Sequence, residues 1–225
     1  MEVVCEYADD TFCRSLEATG CCDYYEDGVA YVNKGRSVKR FIDEYDVVDG
    51  VVHSVGGSLC DSGLGKCELY SRILMREPVQ LLHDLSIQIC RLHRDGMTLT
   101  DVEFTDIACI DNRFCLHNAS KVVKFDRRTS RGTLTFPPVF GPFAAPELSS
   151  VTQIPAVNAI HKTSAIWSIG MMFACYVFGM DGDDGDDGES PYSLLKSGRY
   201  TPSSIVPVIC RCIHPDPDAR MLIVV

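Results

Sequence analysis

Basic residues are in short supply. Lysine and arginine number 21 against 31 aspartates and glutamates, a formal charge of −10 over 225 residues. Such a surface repels polyanions, so neither nucleic acid nor an anionic membrane is expected as a partner. Long apolar runs are also missing. The longest stretch, 166–179, falls short of the ~20 residues that cross a bilayer and is expected to form a buried helix. The N-terminal MEVVCEYADD has neither a basic n-region nor an apolar h-region, so no secretory leader is expected. No CxxC pair occurs among the 12 cysteines. Cys21 and Cys22 are adjacent, and Cys210 and Cys212 have no second pair nearby, which argues against zinc. Cysteines without a leader imply free thiols and a reducing intracellular compartment, cytoplasm or nucleus. No internal repeat is visible. The run Asp181-Gly-Asp-Asp-Gly-Asp-Asp-Gly-Glu189 lacks the ligand order of a calcium loop and reads as a solvated loop.

What is present divides near residue 76. Residues 1–76 read as short, mostly extended pieces: a strand over 28–34, a helix-like spacing over 37–48, glycine turns at 56–57 and 63–65, and a strand over 66–74. Residues 77–225 read as mainly helical. Pro78 suits a first helical position, and Leu81, Leu82, Leu85, Ile89 and Leu92 recur at three and four, giving one apolar face that Gly96 ends. A short strand is expected over 107–111. Residues 164–178 are apolar nearly all round, the mark of a buried helix. The expected fold class is α+β, with a reduced β-rich front part and a helical back part.

Four segments of the back part carry chemistry or fixed geometry. Leu99-Thr-Asp101-Val-Glu103-Phe-Thr-Asp106 precedes the 107–111 strand. Phe143-Ala-Ala145-Pro146-Glu147, Ser164-Ala165-Ile-Trp167-Ser168-Ile-Gly170 and Cys212-Ile-His-Pro-Asp216-Pro-Asp-Ala-Arg220 follow in that order. Together they resemble the protein kinase superfamily: its catalytic loop H-R-D-x-K-x-x-N, its A-P-E motif, its S-D-x-W-S-x-G helix start and its late C-x-x-x-D-P-x-x-R signature. The worn, compact form is similar to kinase homologues carried by large DNA viruses. The resemblance covers about 78–221 and implies a bilobal fold. It places Asp101 as the candidate base and Asp106 as a candidate magnesium ligand. It makes Glu147 and Arg220 a structural ion pair, with Trp167 a structural residue of the central helix.

The front part resembles a kinase N-lobe only loosely. The stretch 16–25 lies where a phosphate-cradling loop belongs and holds one glycine, Gly20. Lys34 matches the phosphate-orienting lysine, and Glu44 its helical partner. Two registers fit the D-F-G position. One places Asn118-Ala-Ser120 there; the other, slightly preferred, uses a longer hairpin and makes Asp126 the second magnesium ligand. Ser130 follows Arg127-Arg128-Thr129 and resembles a target of basophilic kinases, a candidate regulatory site.

The losses are expected to outweigh what is kept. Glu103 stands where the family has the lysine that neutralises the transferred phosphate, Leu99 and Thr100 replace the loop's brace, and Ala165 replaces the helix aspartate. Phosphoryl transfer depends on positioning and charge neutralisation, which these changes erode. The resemblance therefore implies a pseudokinase that works as decoy, scaffold or regulator of a kinase or its substrate, with Mg-ATP bound weakly or not at all. The alternative is a slow, divergent Ser/Thr kinase that uses Mg-ATP.

Overall fold

The computed structural model describes residues 2–34, 36, 38–40, 45–48, 51–54, 77–135, 140–149, 151, 155–178 and 205–222. The expectations for Glu44, for the turns at 56–65, for the strand over 66–74 and for the acidic run at 181–189 lie outside these residues. The architecture is mixed α+β with antiparallel sheets.

The chain begins with strand β1 (Glu2–Cys5) and helix α1 (Asp10–Ala18), followed by β2 (Tyr24–Glu26) and β3 (Val29–Val32). The strands form a sheet in the order β1-β3-β2. The helix corrects the expectation of extended pieces in this stretch. Its start is set by Asp9, whose carboxylate accepts the Phe12 N–H at 2.8 Å, satisfying one of the free donors of the first turn. Its end is set by Gly20 at φ +75°, where the Gly20 and Cys21 N–H groups return to Glu17 and Leu16. That left-handed turn is the ordinary reason for a glycine after a helix. Phe12, Cys13 and Leu16 on one side of α1 are buried.

The helix-like spacing over 37–48 is corrected too. Strands β4 (Val38–Arg40) and β5 (Tyr45–Val48) occupy it; β4 pairs with a strand 70 residues on (Val38 opposite Ile110), and β5 pairs with β6 (Val51–Ser54). Tertiary pairing of β-branched and aromatic residues outweighs a short helical period.

Helix α2 (Glu77–Arg94) runs the length that its apolar face predicts, burying Leu81, Leu85, Ile89 and Leu92. It packs against α1 and against β9 (Arg113–Leu116), which pairs with β8 (Ile107–Ile110) in the order β4-β8-β9. Two polar side chains on α2 take part in this packing. The Asp84 carboxylate accepts the Phe114 N–H at 2.9 Å. The Gln88 amide accepts the Leu116 N–H at 2.7 Å and donates to the Leu116 carbonyl at 2.9 Å. Both side chains are fully buried, and these bonds offset the cost of burying them.

A four-stranded sheet has the order β12-β11-β10-β7, built from β7 (Met97–Leu99), β10 (Val122–Asp126), β11 (Arg131–Leu134) and β12 (Ala156–His161). Helix α3 (Ser164–Phe178) follows, and α4 (Val206–Cys212) packs on it. One hydrophobic core runs from Val4 through α1, α2, β8, β9 and α3 to Ile213, and a small satellite of Leu134, Ala145, Leu148 and Ile160 lies beside it. Trp167 touches both clusters. Cys5, Cys13, Cys21, Cys22, Cys109, Cys115 and Cys212 are buried, and among the described residues no helix is long and apolar enough to cross a membrane.

Candidate functional site: a lysine among three carboxylates

The loop after β7 carries Asp101 and Glu103, and a single 3-10 turn, Phe104–Asp106, carries the third acid. The turn is closed locally: the Glu103 N–H donates to Asp106 Oδ2 at 2.9 Å. Asp101 and Asp106 are buried, at 1% and 4% exposure, so their charges need partners.

Lys121 supplies the charge. It ends a 3-10 turn over Ala119–Lys121, just before β10. Because β10 pairs with β7, with Val122 opposite Leu99, the lysine falls beside the acidic loop. Its Nζ lies 2.7 Å from Glu103 Oε1, 2.8 Å from Asp106 Oδ2 and 3.4 Å from Asp101 Oδ2. Burial works against the ammonium, but its bonds to Asp106 and Glu103 win and hold its pKa above the ordinary lysine value. The lysine therefore stays charged.

The two aspartates accept further bonds. Asp101 Oδ1 accepts the Thr100 hydroxyl at 3.0 Å, and Asp101 Oδ2 accepts the Gly141 N–H at 2.8 Å. Asp106 Oδ1 accepts the Asn118 amide at 2.8 Å. A Cβ at Gly141 would collide with the Glu103 side chain, which is why glycine stands there. The sequence alone suggested a cluster with no cation of its own; the strand pairing brings one from 15 residues downstream.

The other singled-out residues are distributed as follows. Asn118 donates to Asp106. Asp126 ends β10, five residues of extended chain beyond Lys121, roughly 16 Å. Its carboxylate is exposed and accepts the Arg128 N–H at 2.7 Å. Lys34 is exposed two residues beyond β3, in a single bridge with Arg36. Gly20 caps α1, and its carbonyl accepts Arg36 at 2.8 Å. Ser130 sits at φ +57° in the β10–β11 turn; its N–H donates to Asp126 and its carbonyl accepts from Lys162.

Glu147 and Arg220, 73 residues apart, form a bidentate pair at 2.7 and 2.8 Å. Arg220 also donates to the His214 carbonyl at 2.9 Å, and its guanidinium lies 4.8 Å over the Trp167 ring. Ser164, which opens α3, donates to Glu147 as well. The start of the central helix, the 143–147 segment and the late arginine thus meet at one point. Among the described residues no group of histidines, cysteines and carboxylates has the arrangement of a metal site. No protein-family model matches the chain, and neither does any curated protein.

Proposed function

We propose that the chain is a kinase-like binding protein: a pseudokinase that acts through a protein partner, a kinase or a kinase substrate, without transferring phosphate. The observation that carries this reading is the position of the Lys121 ammonium. It takes the inward oxygens of Glu103 and Asp106, the oxygens a magnesium ion would need. The donor set as it stands does not suit magnesium, whose octahedral shell would have to displace a buried ammonium. Asp101 is likewise engaged: it is buried, and both its oxygens already accept bonds, from Thr100, Gly141 and Lys121.

Further support for the kinase likeness comes from the Glu147–Arg220 pair, the contact that the motif resemblance implies. The bilobal arrangement belongs to the same reading.

The test is thermal unfolding of the full chain with and without ATP and magnesium. Any ligand that binds only the folded state must stabilise it, by ~2.7 kcal/mol at about 100 times its Kd. The expected result is no magnesium-dependent shift at millimolar ATP. A shift of several degrees, together with phosphotransfer abolished by Asp101→Asn, would establish the slow kinase instead.

A further inference from the structure

The β10–β11 hairpin concentrates positive charge that the acidic chain as a whole lacks. Lys124, Arg127 and Arg128 are exposed, and Arg131 and Lys162 are half-exposed beside them. Backbone bonds fix their proximity: Asp126 pairs with Arg131, Arg131 pairs with His161, and the Lys162 N–H donates to the Ser130 carbonyl at 2.9 Å. Arg127 donates to the last carbonyl of α2, that of Arg94, so the hairpin is fastened to the end of that helix. Two histidines flank the patch, His93 partly buried and His161 fully buried. His93 is kept neutral chiefly by burial and His161 is lowered for the same reason, so neither adds a charge near neutral pH. The acids facing the patch are Asp126, turned back onto its own loop, Asp95, beside Arg91, and Asp218, which bonds His161.

The outer face of the hairpin is an open groove of about 590 Å³ lined by Val122, Lys124, Phe125, Asp126, Arg131 and Thr133 among others. The Phe125 ring also meets His93 edge-on, with centroids 5.8 Å apart. Gly132 lets the two strands close, since a Cβ there would stand 2.7 Å from the Lys124 carbonyl. The groove thus carries two cations, Lys124 and Arg131, and one ring, Phe125.

We infer that this hairpin face is a docking surface for an extended acidic segment of a partner protein. Lys124, Arg128 and Arg131 would pair with carboxylates spaced along the segment, and Val122 and Thr133 would form the floor. A nucleic acid would bring the same charge sign, but it suits the site less. Single strands are held by base stacking on several exposed aromatics, and the lining offers one ring, Phe125, partly buried and packed on His93. A long polyanion would also extend beyond the patch onto a surface of net negative charge. The inference rests on the reading of the chain as a binding protein. It does not depend on the state of the Lys121 cluster, and nucleotide binding there would leave it standing.

The experiment is fluorescence anisotropy of the full chain with a labelled Asp/Glu-rich decapeptide, alongside a labelled single-stranded oligonucleotide of equal charge. Circular dichroism serves as the folding control. The peptide is expected to bind at low salt and to weaken steadily as salt rises. The double variant Lys124→Glu/Arg128→Glu, both positions exposed, is expected to bind at least about tenfold more weakly with an unchanged spectrum. Absence of peptide binding at low salt, or equal binding by the folded double variant, would overturn the inference. Tighter binding of the oligonucleotide than of the peptide would overturn its choice of partner.

Discussion

The carbonyl of Lys121 accepts the N–H of Thr100 at 2.9 Å. The lysine is thus tied to the acidic loop at both ends, through its backbone at Thr100 and through its ammonium at Glu103 and Asp106. The cation is a built part of the loop.

Removing that ammonium should expose its role directly. Lys121→Ala leaves three clustered carboxylates with no cation among them, and breaking a buried ion pair from one side typically costs about 3–5 kcal/mol. Calorimetry should show a large fall in Tm. The same variant should regain stability on addition of magnesium or calcium, which the wild type should not. An unaltered Tm would mean that the lysine contributes nothing to folding.

Arg220→Ala should be about as severe, because it strands Glu147 and removes the cation over Trp167. At roughly 2–4 °C per kcal/mol for a chain of this size, the expected drop is about 6–20 °C. Burial pushes the Glu147 carboxyl up, but the hydrogen bonds and charge of Arg220 prevail and hold it below its ordinary value of 4.5. A depressed carboxylate stabilises the fold above that value and loses its contribution as pH falls below it. Denaturant titrations down the acid side should show this loss in the wild type and a flatter profile in Glu147→Gln.

Gly170 is where α3 meets α4. A Cβ there would stand 2.6 Å from Cys212 Cβ and from Ile213 Cγ2. Alanine gains ~1 kcal/mol of helix propensity over glycine. Overpacking a close contact costs about 1–3 kcal/mol, so packing should win. Gly170→Ala is predicted to lower the urea midpoint, and a raised midpoint would show that the two helices separate easily.

His93 gives a second acid-sensitive contribution at higher pH. Burial lowers its pKa from 6.5 to about 4. The unfolded chain binds the proton first, so stability should fall as pH drops from about 6.5 towards 4. His93→Phe keeps the ring against Phe125 and should remove this part of the pH dependence in thermal melts.

Much of the back part was legible from residue pattern. Helices α2 and α3, strand β8 and the meeting of Glu147 with Arg220 all follow from local period or from motif spacing. The front part was not. Helix α1 has a capping aspartate and an apolar face, but it is only nine residues long, and its closing Gly20 lies where a phosphate loop was sought. Strands β4 and β5 carry a short helical period that cross-strand pairing overrides. In the site, the acids were visible because they are adjacent in sequence. Lys121 was hidden because its position depends on which residue of β10 lies opposite Leu99, a register that composition does not encode. The same register explains why Asp126, attractive as the end of an apolar strand, lies at the opposite end of that strand from Lys121.

The bonds from Asp84 and Gln88 to β9 concern more than packing. One turn of α2 separates the two side chains by ~6 Å, and two residues of strand separate the Phe114 and Leu116 N–H groups by ~6.6 Å. The rises nearly match, so a helix reproduces the hydrogen-bonding face of a neighbouring strand. The outer border of the β4-β8-β9 sheet is consequently already occupied. An extended chain from another molecule would find those amides taken, and growth of this sheet into an aggregate is blocked at its β9 side.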